Sequence, residues 1–86
     1  MKIECAAWVA SKKNTLCGFA TLFLPEIGLQ IKDCALHESH GKHWVAFPAI
    51  PSRDSYFAVL SIPDDEKRDL FREEAVKAIR AFQEKA

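Results

Sequence analysis

The sequence has few of the features that mark common enzyme and membrane classes. Its three glycines are scattered, so no glycine-rich phosphate loop is present. No apolar run approaches the length that spans a bilayer, and Glu4 stands where a signal peptide would begin its apolar region. The three cysteines lack CxxC spacing, which favours reduced thiols over a disulfide framework. We therefore expect a soluble cytoplasmic protein with no membrane partner, no cofactor and no small-molecule ligand.

The charge and size of the chain narrow the choice of partners. Twelve basic and twelve acidic residues give a formal net charge of zero, which disfavours strong non-specific attraction to nucleic acid but permits a local basic patch. An apolar fraction of 49% is ordinary for a globular protein. Eighty-six residues suffice for one domain, 1–86, with a small core. We expect such a domain to form a homodimer.

The first two thirds of the chain have the alternation and turn residues of an antiparallel sheet. Gly18 predicts a bulge or a close backbone approach. The change of phase between Ile31 and Cys34 predicts a second bulge near residues 32–33. Two prolines make 48–55 an exposed loop rather than part of a central ladder. The predicted strands are 3–10, 16–24, 29–37, 43–47 and 56–62, the last being a fifth strand or a continuation of the edge.

The last third of the chain has the period of an amphipathic helix, predicted over about 64–84. Asp64, Asp65 and Glu66 suit the positive end of the helix dipole and favour capping over catalysis. The predicted apolar stripe consists of Leu70, Phe71, Ala75, Ala78, Ile79 and Phe82. The fold class is therefore α+β: an antiparallel β-meander of four or five strands, over about 2–62, followed by one C-terminal helix.

The predicted strands are apolar on both sides, whereas one helix covers only one face of a sheet. The other face must then pair with another subunit or bind something else. Dimerisation is the first interpretation, and stacking of aromatic side chains on nucleic-acid bases is the second. The candidates for this face are Trp8, Phe19, Phe23, Trp44, Phe47 and Tyr56.

The residues that favour catalysis or metal binding form no compelling pattern. Cys34, His37, His40 and His43 are zinc ligands by type, but their three-residue spacing suits a helix, whereas this stretch is predicted as a hairpin. His37 and His43 could be cross-strand neighbours there, with His40 at the tip. No serine or cysteine lies in a nucleophile motif. We therefore predict no metal site, no catalytic residue and no enzyme.

The loops supply a moderate basic signal. Lys12 and Lys13 fall in the first predicted hairpin loop, Lys42 in the second and Arg53 in the proline-rich loop. If these loops share one rim, the four side chains could contact phosphates beside Trp44. The alternative is that these charges only keep the loops soluble.

Short motifs along residues 15–82 give a family resemblance. They are Phe19-Ala20-Thr21, Ile31-Lys32-Asp33-Cys34, Trp44-Val45-Ala46-Phe47-Pro48, Tyr56, Ser61-Ile62-Pro63, and Phe71 with Ala75, Ala78 and Ile79. In this order they resemble the stage V sporulation protein G (SpoVG) family. The basic loop of that family follows the motif that is Trp44–Pro48 here. In the corresponding loop, 48–55, this sequence has only one basic residue, Arg53.

The resemblance implies a small cytoplasmic homodimer that binds DNA or RNA and regulates transcription. The expected nucleic-acid-binding residues are Lys12, Lys13, Lys42, Arg53 and Trp44. The alternative is a non-catalytic protein-interaction or structural module, of the kind found among phage or mobile-element accessory proteins, which does not bind nucleic acid.

Overall fold

The computed structural model describes residues 1–85, which form six β-strands followed by one α-helix. The strands are β1 (Glu4–Lys13), β2 (Leu16–Leu24), β3 (Leu29–Ser39), β4 (Lys42–Ala46), β5 (Ala49–Pro51) and β6 (Tyr56–Ala58), and the helix is α1 (Asp65–Lys85). Strands β1 to β4 form an antiparallel sheet in sequence order, and β5 and β6 form a separate two-stranded sheet. The predicted α+β meander with one C-terminal helix is confirmed.

Two tight turns set the register of the four-stranded sheet. Asn14 and Thr15 connect β1 to β2, and Asn14 has a φ of 56°. His40 and Gly41 connect β3 to β4 with φ values of 51° and 79°. A two-residue loop with both φ values positive matches the right-handed twist of the strands it joins. The second turn pairs Ser39 with Lys42 and so fixes every pair that follows along β3 and β4.

The first strand is longer than predicted. Residues 11–13 were expected in a loop, but they belong to β1, and Lys13 pairs with Leu16. Polar side chains are tolerated there because both faces of this end of the strand are exposed to solvent. Lys12 and Lys13 are therefore strand residues.

The proline-rich segment predicted as an exposed loop over 48–55 is exposed over 49–55, but it is part of a hairpin, with a strand at Ala49–Pro51. Ala49 pairs with Ala58 and Pro51 with Tyr56. The tip is closed by the Ser52 N–H, which donates to the Ser55 carbonyl oxygen at 2.6 Å. Prolines are tolerated because this ladder lies outside the main sheet. The expected fifth strand, 56–62, is shortened to β6 and does not join the main sheet.

Two irregularities predicted from the sequence are present. The register between β2 and β3 shifts between the pairs Ala20↔Cys34 and Leu22↔Ile31, which is the bulge expected near 32–33, and Asp33 has a φ of 59° there. The bulge brings Ile31 and Cys34 to the same buried face. At Gly18 a Cβ atom would lie 2.7 Å from the Trp8 ring and would also clash with the Val9 carbonyl oxygen. Only glycine fits this approach.

The helix α1 packs on one face of the four-stranded sheet. From the helix the core takes Phe71, Ala75 and Ile79, which are four residues apart and lie on one stripe. The ring of Phe71 lies 5.0 Å from that of Phe47 between centroids. Leu70, predicted on the same stripe, is instead 43% exposed. The core side chains of the sheet are Ala20, Leu22, Ile31, Cys34, Leu36 and Val45.

The helix begins at a side-chain cap. The Lys67 N–H donates to the Asp64 carboxylate at 3.0 Å, and the Arg68 N–H donates to the Asp64 carbonyl oxygen at 2.9 Å. The capping role predicted for this acidic run is confirmed for Asp64. In residues 1–85 no helix combines the length and apolar character that crossing a membrane requires.

Candidate nucleic-acid interface

The face of the four-stranded sheet opposite α1, here called the outer face, carries two rows of side chains that cross all four strands. The first row is Lys13, Leu16, His37 and Trp44, and the second row is Val9, Phe19, Ala35 and Ala46. Directly opposed residues in antiparallel strands share a face, so each row forms a continuous strip. Val9 is 64% exposed and Phe19 37%. Within the described chain, no element packs over the second row at its β1 end.

The predicted aromatic candidates are divided between the two faces. Phe19 and Trp44 lie on the outer face, and Phe23 shares it by its pairing with Gln30. Tyr56 lines a groove on the same side. Trp8 and Phe47 pack against the core instead. The register decides this division, because a shift of one residue exchanges the faces.

Trp44 is held in a stack with His37. The two rings are 5.4 Å apart between centroids and inclined by only 10°. The His37 ring is fixed in turn by a hydrogen bond of 3.0 Å between its Nδ1 and the Thr15 hydroxyl. Thr15 also accepts the Glu38 N–H at 2.8 Å through its carbonyl oxygen. A half-buried, preorganised ring system of this kind is suited to stacking on another planar group.

Three of the predicted basic residues lie at one end of the sheet. The β1–β2 and β3–β4 turns are side by side there, which brings together the last residues of β1 and the first residue of β4. Lys13 belongs to the same row as Trp44, and alternation along β4 places Lys42 on the outer face as well. Within residues 1–85 none of Lys12, Lys13 and Lys42 forms an ion pair.

Arg53 lies elsewhere in the fold. It is exposed in the four-residue tip of the β5–β6 hairpin. That hairpin starts beyond Ala46, whereas Lys42 is at the other end of β4, about 13 Å away at the usual rise per residue. The basic rim predicted from all four residues is therefore a cluster of three lysines with Arg53 on a separate element.

The predicted pairing of His37 with His43 is wrong. The two-residue turn pairs His37 with Trp44 and His43 with Glu38, so the two histidines lie on opposite faces of the hairpin. The His43 Nε2 lies 3.3 Å from a Glu38 carboxylate oxygen, and Cys34 is buried in the core. Among residues 1–85, no group of three or more His, Cys, Asp or Glu side chains could hold a metal ion.

A second groove that sequence reasoning missed lies where β4 meets α1. It has a volume of about 450 Å³ and is lined by His43, Trp44 and Val76 together with four charged helix residues: Asp69, Arg72, Glu73 and Lys77. Arg72 and Lys77 lie outside the predicted apolar stripe, so helical spacing did not indicate this groove. Two cations and two anions leave this groove without net charge, so it adds little attraction for phosphate.

The comparisons with known proteins give no relative: no family model, curated protein or solved structure matches this chain.

Proposed function

We propose that this protein is a non-catalytic, homodimeric regulator that binds single-stranded nucleic acid on the outer face of its sheet. The observation that carries the proposal is the row of Lys13, Leu16, His37 and Trp44, which combines a cation at one edge with a stacked aromatic pair at the other. The row spans three strand spacings, about 14 Å between its outermost residues.

Two physical arguments favour a single strand over a duplex. An antiparallel sheet with aromatic side chains on its open face offers stacking platforms to bases that are not already stacked in a helix. The lysines are few and confined to one end, whereas duplex binding without base contacts requires an extended set of phosphate contacts. The zero net charge of the chain fits a binder that depends on stacking more than on long-range attraction.

The resemblance to the stage V sporulation protein G family supports the same proposal, since it implies a dimeric nucleic-acid-binding regulator. The positions of Lys13, Lys42 and Trp44 on the outer face are compatible with one contact surface, and Lys12 lies at the same end of the sheet. Arg53 is not part of that surface in a single subunit, and we assign it a different role below.

The test is fluorescence anisotropy with labelled single-stranded DNA, single-stranded RNA and duplex DNA, each over a range of salt concentrations. We expect single strands to bind more tightly than the duplex. The double variant Lys13→Gln with Lys42→Gln should lower the slope of log affinity against log salt by about 1.4, since each phosphate contact in a single strand contributes about 0.7. Trp44→Ala should weaken binding roughly 5- to 150-fold through lost stacking.

The control is Lys67→Gln with Lys85→Gln, which removes two exposed lysines from α1 and the same charge from the molecule. It should leave the salt slope unchanged. An equal loss in this control, or no binding of any nucleic acid at low salt, would overturn the proposal and leave the protein-interaction module as the better description.

A further inference from the structure

The β5–β6 hairpin is short and poorly covered. Its ladder has three residue pairs, and its strands make their main contacts with each other rather than with the sheet or α1. In and beside it, Ile50, Tyr56, Val59 and Leu60 are exposed by 55%, 73%, 54% and 38%. A two-stranded ladder of this length is marginally stable alone. An apolar surface of this kind is typical of an element that is buried against a partner.

The outer face offers a groove next to this hairpin. Its volume is about 670 Å³, and its floor consists of Leu16, Phe19, Ala35 and Ala46. The root of the hairpin, with Ala49 and Tyr56, forms one wall, so the groove is continuous with the exposed apolar hairpin. Its lining is mostly apolar and also includes the His37 ring and one carboxylate, that of Asp33.

The charges of the hairpin and of the groove are complementary. The hairpin tip carries two charges, Arg53 and Asp54, and of these Arg53 is complementary to Asp33, the one anion of the groove lining. In residues 1–85, neither Arg53 nor Asp33 is part of an ion pair. An arginine and a carboxylate that meet at an apolar surface form a directed, charge-assisted contact.

From these observations we infer that the β5–β6 hairpin of one subunit docks into the outer-face groove of a second copy, with Arg53 beside Asp33 of the partner subunit. A twofold axis repeats the contact and closes the assembly, because each copy contributes one hairpin and one groove. The exposed apolar side chains of both hairpins and the floors of both grooves are then buried together. The inference rests on the homodimer of the proposed function and supplies its interface.

This arrangement leaves the lysine end of the sheet free. Lys12 and Lys13 at the end of β1, and Lys42 at the start of β4, do not line the groove. Two copies related by a twofold axis therefore present two separate basic ends. Leu16 and His37 belong to the nucleic-acid row and also line the groove, so a docked hairpin covers them, whereas Lys13, Lys42 and Trp44 do not line the groove.

The test is analytical ultracentrifugation of the full chain over 1–500 μM, a range chosen to span weak and strong dimers. We expect a monomer–dimer equilibrium for the native sequence. Ile50→Ser should raise the dimer dissociation constant at least tenfold. Ile27→Ser is the matched control, because Ile27 is 71% exposed in the turn between β2 and β3 and away from hairpin and groove. It should leave the dissociation constant unchanged.

A double-mutant cycle tests the ion pair. Arg53→Gln and Asp33→Asn should each weaken the dimer about tenfold, and the second change should add little once the first is made. Asparagine tolerates the positive φ at position 33, so the bulge is retained. Asp54→Asn, beside Arg53 on the same tip, is the control and should have no effect.

A monomer at all concentrations, an Ile27→Ser effect equal to that of Ile50→Ser, or additive effects in the cycle would each overturn the inference. Anisotropy on the same variants separates this result from the proposed function. A monomeric Ile50→Ser variant that still binds single strands supports both the hairpin–groove interface and the nucleic-acid site. A native chain that is monomeric and binds single strands refutes the interface and the dimer but not the nucleic-acid site.

Discussion

At the scale of single residues, Cys34 shows how the bulge and the core affect one side chain. The bulge at 32–33 turns Cys34 into the core, where its exposed fraction is 0%. Burial raises the pKa of the Cys34 thiol to about 12, and the nearby charge of Asp33 and the thiol of Cys5 add to the shift. The thiol is therefore protonated and unreactive at neutral pH.

The raised pKa predicts a loss of stability at alkaline pH. Below the unfolded value of about 9 the thiol is protonated in both states and has no effect. Between pH 9 and 12 only the unfolded chain ionises, so the free energy of unfolding falls by about 1.4 kcal/mol per pH unit. Cys34→Ala should lack this component. Urea unfolding of both proteins at pH 8 and pH 10 gives the change in the free energy of unfolding with pH for each protein. The difference between these two changes measures the contribution of the Cys34 thiol, because the cost of the cavity in Cys34→Ala is the same at both pH values.

Equal alkaline losses in the native protein and in Cys34→Ala would contradict this prediction. Cys17→Ala serves as a control for thiol removal, because Cys17 is only half-buried.

At the scale of elements, the start of α1 is specified by one side chain. Asp64 accepts the Lys67 N–H and satisfies one of the backbone donors that the first turn leaves unpaired. Asp64→Ala should lower the free energy of unfolding by about 1 kcal/mol. Asp64→Asn should cost only a few tenths, since asparagine caps as well but loses the attraction to the helix dipole. Urea unfolding at neutral pH gives both values.

An exposed acidic residue near the other end of α1 provides the comparison. Glu84→Ala removes the same charge without removing a cap, and there a negative charge opposes the dipole. It should be neutral or slightly stabilising. A cost equal to that of Asp64→Ala would show that net charge, and not the cap, is responsible.

The elements also show what the sequence could and could not predict. Gly18, the change of phase at Ile31 to Cys34, and the acidic run at 64–66 each have a local physical cause, and each prediction is confirmed. The partners of His37 were predicted wrongly because they depend on a turn type that moves the register by one residue. The β5–β6 hairpin was missed because its prolines argue against a central ladder and say nothing about a separate one.

The candidate site was predictable in composition but not in arrangement. Lys12, Lys13, Lys42 and Trp44 do lie at one end of the sheet, as neighbouring turns suggest. The strip from Lys13 to Trp44 follows from three pairings across four strands, and no local pattern contains that information. The same long-range pairing separates Arg53 from the lysines.

At the scale of the whole molecule, the outer face and the β5–β6 hairpin leave large apolar side chains exposed in a single copy. A domain of 86 residues buries a limited share of its surface, so covering Phe19 and Ile50 is a substantial part of its possible stabilisation. If a second copy supplies this cover, folding and association are linked. The stability of the native chain must then depend on its concentration.

The linkage predicts a thermal midpoint that rises with protein concentration. Above the dimer dissociation constant, a tenfold increase in concentration adds about 0.7 kcal/mol per subunit, which is half of the 1.4 kcal/mol that corresponds to a factor of ten. For a domain of this size that is a rise of about 3–6 °C in Tm. Calorimetry at 10, 100 and 1000 μM would measure it. The Tm of the Ile50→Ser variant should begin to rise only at a concentration at least ten times higher than that of the native chain, in line with its weaker dimer, whereas Ile27→Ser should follow the native chain. A native Tm that does not change with concentration would mean that each copy folds to its full stability alone, and the cover for the outer face would then have to come from a different partner.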